Sequence, residues 1–121
     1  MRKKITVIII ALIPVLFTGI FADVTQGIAA YPVPYNPNRG VMKISDLSGT
    51  LTGIQNVEVI IFDINGDRVF SRNYSGFTNV VWNGRNDNGV KVSPGMYIVK
   101  VTVEDANGYL GKRLIRILVS Y

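Results

Sequence analysis

The sequence contains neither histidine nor cysteine. The side chain that titrates near neutral pH and the thiol nucleophile are both missing, and with them most zinc and haem ligand sets. A serine hydrolase would need another base, and Lys91 and Lys112 fall in segments of surface character. Three polar or aromatic groupings remain. Asp63-Ile64-Asn65-Gly66-Asp67 carries acidic oxygens, but a calcium-binding EF-hand loop needs glycine at its sixth position and a bidentate glutamate at its twelfth. Counted from Asp63, those positions hold Arg68 and Tyr74, so the segment reads as a turn. Asn83 to Gly89 is the most polar loop and follows the only tryptophan, Trp82. Arg85 and Asp87 are its candidate contacts to a ligand or partner. In the competing reading Trp82 fills the core, and Asn, Asp and Gly satisfy a tight loop through side chain-to-backbone hydrogen bonds. Tyr31, Tyr35, Tyr74 and Phe77 are candidates for an aromatic platform. Tyr31 and Tyr35 equally suit pinning a proline-rich segment to the domain. No residue is assigned a catalytic, cofactor-binding or metal-binding role, and the chain reads as a non-enzyme.

The N-terminus indicates where such a protein works. Arg2, Lys3 and Lys4 precede an apolar run from Ile5 to Phe21, interrupted only by Thr6, Pro14, Thr18 and Gly19. Ala22 and the first acidic residue, Asp23, follow. This is the layout of a secretory signal peptide, and the run is at the short limit for spanning a bilayer. A signal peptide over residues 1–22 is expected, with Ala29 or Ala30 as later cleavage positions. The product would be periplasmic or extracellular, touching the membrane only if the segment is retained. Without the three n-region charges, ten Lys/Arg and eight Asp/Glu remain, so the net charge falls from +5 to +2. Basic residues cluster only at Lys112, Arg113 and Arg116, which does not indicate nucleic acid. About 99 residues remain, enough to build a core without disulfides.

The pattern beyond residue 30 is that of strands. Tyr97, Val99, Val101 and Val103 alternate with Ile98, Lys100, Thr102 and Glu104, the mark of a strand with one buried face. Ile115, Ile117 and Val119 share a face, with Arg116 opposite. Val57, Val59 and Ile61 alternate with Glu58, Ile60 and Phe62, which places this strand mid-sheet. Val80 and Trp82 point together, and Met42 and Ile44 open a further strand from which Leu47 falls out of phase. Asn65-Gly66 predicts a hairpin with both residues at positive φ. Asn88-Gly89, Asn107-Gly108 and Pro94-Gly95 repeat the turn chemistry. Gly66 and Gly89 are read as structural turn residues. The expectation is an all-β fold, an Ig-like or fibronectin-III-like antiparallel sandwich of about seven strands. It would occupy residues 41–121, behind an extended proline-rich lead-in over 23–40.

Five motifs in order narrow this further. Tyr31-Pro32-Val33-Pro34-Tyr35-Asn36-Pro37 resembles the YPNPFNP opening of Ig-like domains related to the C-terminal part of FlgD, the flagellar hook-capping protein. Val59 to Gly66 is similar to that family's IYDxxG hairpin, and Val81 to Gly89 to its WDGRDxxG segment. Ser93-Pro94-Gly95-Met96-Tyr97 resembles its xSGxY strand opening, and Gly111-Lys112 the GK that begins its last strand. The resemblance runs from about Tyr31 to the C-terminus and implies the family's fold.

For function, the leading expectation is a structural or interaction module, an accessory or adaptor subunit in a periplasmic or cell-surface assembly with protein partners. The family name implies a flagellar one. A lectin-like or small-ligand module using the Asn83 to Gly89 loop is the alternative, and a secretion-sorting domain a third. If the Arg113 to Val119 strand lies at a sheet edge, its unpaired backbone would invite strand addition, while Lys112, Arg113 and Arg116 would discourage indiscriminate pairing.

Overall fold

The computed structural model describes residues 24–121. The signal peptide expected over residues 1–22 lies outside the described residues. Seven strands follow in order: β1 (Ile28–Tyr31), β2 (Met42–Asp46), β3 (Ile54–Asp63), β4 (Arg68–Tyr74), β5 (Val81–Trp82), β6 (Gly95–Asp105) and β7 (Gly108–Val119). They form two antiparallel sheets, ordered β1-β2-β5 and β4-β3-β6-β7. The fold is the all-β sandwich expected from the alternation. A single 3-10 turn, Pro37–Arg39, is the only helical element among the described residues.

Alternation places the core. Val57, Val59 and Ile61 of β3 and Tyr97, Val99, Val101 and Val103 of β6 are buried, and they face Met42, Ile44 and Trp82 of the smaller sheet. β3 lies between β4 and β6, and its Glu58, Ile60 and Phe62 are half-buried on the outer face. Leu47 lies one residue past the end of β2 and is exposed. β1 falls within the stretch read as a lead-in. Its four residues pair with Tyr31↔Lys43 through Ile28↔Asp46, and Ile28 enters the core.

The β3–β4 turn differs from the one Asn65-Gly66 predicts. Only Gly66 has positive φ, at 85°, and Asn65 does not. The Gly66 amide donates to the Asp63 carbonyl (3.0 Å), while Asp63 Oδ1 accepts from the Asn65 and Asp67 amides at 2.9 and 3.0 Å. The Asp63 carboxylate thus stabilises an ordinary turn closed by a left-handed glycine, and the two-residue mirror-image turn is not needed. The same arrangement recurs in the loop between β5 and β6. Asn86 Oδ1 accepts from Asn88 and Val90, the Gly89 amide donates to the Asn86 carbonyl, and Gly89 has φ 80°.

Candidate functional site

The loop from Asn83 to Gly89 begins where β5 delivers Trp82 into the core. Trp82 is 1% exposed, with the rings of Tyr35, Phe70 and Tyr97 at centroid distances of 5.8, 6.2 and 6.2 Å. A buried indole N–H needs an acceptor, and Trp82 Nε1 donates to the Arg85 carbonyl at 2.8 Å. The tryptophan thereby sets the path of the loop. The Arg85 guanidinium folds back to donate to the Gly89 carbonyl (3.0 Å), and the Arg85 amide donates to Asn83 Oδ1.

Asp87 leaves the loop and docks on β4. Its amide donates to the Val69 carbonyl (2.9 Å), and its Oδ1 accepts from the Ser71 amide (3.1 Å). Val69 and Ser71 are the β4 residues whose main-chain groups point away from β3, because the ladder bonds alternate from residue to residue. The loop therefore covers part of the free edge of β4. Arg68 reaches Asp87 at 4.0 Å with both side chains well exposed, a pair that contributes little. A hollow of about 230 Å³ beside the loop is lined by Phe70, Arg72, Asn83, Arg85 and Asp87. The polar groups of the two candidate ligand contacts are engaged within the fold.

The aromatic candidates do not form one surface. Tyr35 is 1% exposed, and its hydroxyl lies 2.9 Å from the Gly40 carbonyl and 3.2 Å from that of Trp82. Burial raises its pKa above the ordinary tyrosine value. As an interaction candidate Tyr35 is corrected by this burial: the ring is a core element. Tyr74 donates inward to the Val81 carbonyl (2.9 Å), and Phe77 packs against the core. Tyr31 is 37% exposed and shares a hydrogen bond with Ser45 Oγ.

β7 forms the other edge of the large sheet. Arg113 is half-buried and its Nε donates to the Ile28 carbonyl across the sandwich (3.2 Å), whereas Arg116 is exposed on the outer face. The two arginines are separated by the strand's alternation and do not form one cluster. Five residues into β7, Thr25 donates to the Lys112 carbonyl (3.0 Å). At the strand's C-terminal end, Tyr35 adds a short parallel bridge, its amide donating to Leu118 O at 2.7 Å and its carbonyl accepting from Ser120 N at 2.9 Å. Open hollows of about 370 and 350 Å³ lie at the two ends of the sandwich, the first around Gln26, Ser48 and Leu51 and the second around Pro34, Arg39 and Ser120. Among the described residues no group of three or more acidic side chains is placed to hold a metal ion.

Gly84 was not singled out by the sequence. It is buried at φ 78°, and a Cβ there would stand 2.7 Å from two Pro37 side-chain atoms and 3.3 Å from the Tyr35 ring. The signal was the Asn-Gly step directly after Trp82, masked by the other turns in the chain.

A family model for the FlgD Ig-like domain matches residues 40–107. The chain belongs to the FlgD Ig-like domain family. The matched region of this FlgD-type domain takes in the β3–β4 hairpin, the Trp82 segment and the whole of β6. It leaves out β1, the Tyr31 to Pro37 motif and all of β7. No curated protein matches the chain. Among solved structures it is similar to PorZ, described as an essential bacterial surface component of the type-IX secretion system of Porphyromonas gingivalis. Identity is 31% over 79% of this chain, with a TM-score of 0.55, and the match spans 12% of the PorZ chain.

Proposed function

We propose that this FlgD-type domain is an exported, non-catalytic interaction module, an accessory or adaptor subunit of a periplasmic or cell-surface assembly. The observation that carries this reading is the similarity to PorZ over most of this chain. The sequence supports it through the N-terminal pattern of an exported protein and the lack of histidine and cysteine. Membership of a family named for a flagellar protein points the same way. The match covers only a small part of PorZ, so the kind of assembly, secretory or flagellar, is a matter for the partner. The ligand-binding alternative finds less support, because Arg85 and Asp87 hold their own loop and the β4 edge.

In-cell cross-linking of the native envelope, read by mass spectrometry, tests this. A defined set of envelope proteins linked repeatedly to this chain is expected. A chain recovered without protein neighbours would sink the adaptor reading and favour the glycan or small-ligand alternative.

A further inference from the structure

The two edges of the large sheet are treated differently. Asp87 covers the β4 edge in part, taking the Val69 carbonyl and the Ser71 amide. The β7 edge is held on either side of its central residues, by Thr25 on the Lys112 carbonyl and by Tyr35 on Leu118 and Ser120. Those contacts also fix its orientation. Because the main-chain groups of Leu118 and Ser120 point away from β6, the alternation of an antiparallel ladder turns those of Leu114 and Arg116 the same way. No hydrogen bond among the described residues reaches Leu114 or Arg116 from that side. Among the described residues, two N–H and two C=O groups are thus left without a hydrogen bond near the middle of a twelve-residue strand, which is a template for another strand.

The side chains beside this opening alternate as well. Lys112, Leu114, Arg116 and Leu118 all lie on the outer face and are exposed, Leu114 at 61%. Across the ladder, Lys100 pairs with Leu114, Ile98 with Arg116 and Met96 with Leu118, so cations and apolar groups are interleaved there too. β7 contains no acidic residue. A second copy is therefore a poor occupant. Antiparallel pairing about Leu114 would set Lys112 against Arg116, and pairing about Arg116 would set that residue against itself, and like charges directly opposite are destabilising.

We infer that the β7 edge receives an extended segment of a partner protein in which two acidic side chains, four residues apart, flank an apolar one. The acids would meet Lys112 and Arg116, about 14 Å apart along the strand, and the apolar residue would cover Leu114. Main-chain hydrogen bonds would supply affinity and the alternating side chains specificity. This deepens the interaction-module reading and rests on it.

The test is an NMR titration of the exported full chain with a nine-residue peptide, Thr-Glu-Thr-Val-Thr-Glu-Thr-Val-Thr. Its control replaces both glutamates with lysine. Amide shifts and slowed hydrogen exchange are expected at Leu114 and Arg116, with affinity falling as salt rises. The double variant K112E/R116E is expected to bind the acidic peptide roughly tenfold more weakly and to prefer the lysine control. L114P removes an outward N–H without breaking the β6 ladder and is expected to lose binding at unchanged melting temperature. If that variant is poorly folded, the charge-reversal pair decides. No binding, equal binding of the two peptides, shifts centred elsewhere, or a β7-mediated dimer in sedimentation would each overturn the inference. Envelope cross-links that map to other surfaces would leave the interaction module standing while removing this edge as its means.

Discussion

At the scale of single residues, the domain turns on how Trp82 is surrounded. Three aromatic rings and one carbonyl satisfy it. Trp82→Ala is expected to cost about 3–5 kcal/mol, through lost burial and the cavity left behind. Urea denaturation measures this. A fully stable variant would show that the ring serves a ligand instead of the core. Gly84 offers a sharper contrast. Alanine at Gly89 incurs the left-handed strain of about 1–2 kcal/mol with nothing within 4 Å of the new Cβ. Alanine at Gly84 incurs that strain and also meets Pro37 at 2.7 Å. Gly84→Ala is therefore expected to lower the urea midpoint clearly more than Gly89→Ala, and equal losses would mean that Pro37 moves aside freely. Asp87 separates charge from hydrogen bonding. Asp87→Asn keeps an oxygen for the Ser71 amide, whereas Asp87→Ala leaves that edge group to water. The alanine variant is expected to lose about 1 kcal/mol and the asparagine variant less. If both lost the same, the exposed ion pair with Arg68 would matter more than its geometry suggests.

At the scale of elements, what the sequence made legible is what a period of two can encode. β3 and β6 were readable because apolar residues recur at every second position, from Val57 to Ile61 and from Tyr97 to Val103, and the buried side chains are those the pattern indicates. Turn positions were readable from Asn-Gly steps, but turn types were not. An asparagine or aspartate three residues before the glycine accepts two amides and changes the geometry, a contact that appears only once the loop is built. β1 was hidden for another reason. Its Ile-Ala-Ala-Tyr carries little β signal of its own, and pairing with β2 and burial of Ile28 make it a strand. The Arg85 and Asp87 loop was correctly located as polar. Its role at the β4 edge lay beyond the sequence, because that edge forms from residues 16 to 18 positions earlier. The same limit applied to Tyr35, whose ring reaches the core only through the chain's return past Gly40 and beside β7.

At the scale of the whole molecule, the two ends of the described chain are sewn to one flank. Thr25 is buried against Lys112, Ile28 is in the core, and the Ile28 carbonyl receives Arg113. Cleavage after Ala29 or Ala30 would cut through β1 and remove all three contacts. The intact mass of the exported chain is thus expected to correspond to an N-terminus no later than Thr25, and a chain beginning at Ala30 or Tyr31 would show that the flank assembles without β1. The sandwich also carries three tyrosines with raised pKa. Burial is the main cause at Tyr35, Tyr74 and Tyr97, and at Tyr97 the nearby Tyr121 and Asp63 add to it. The neutral phenol is the form the fold favours, so each contributes stability that is complete below the unfolded tyrosine pKa of about 10. That stability is lost as pH rises from there through the folded values. Stability is therefore expected to be flat with respect to these groups between neutrality and about pH 9, and to fall steeply above pH 10. Tyr35→Phe should lessen the steepness, at the cost of about 1–2 kcal/mol near neutral pH for the hydrogen bond it removes. Denaturation midpoints measured across that range check the sign: a chain that grows more stable above pH 10 would mean that the phenolates find cationic partners and that burial does not govern these hydroxyls.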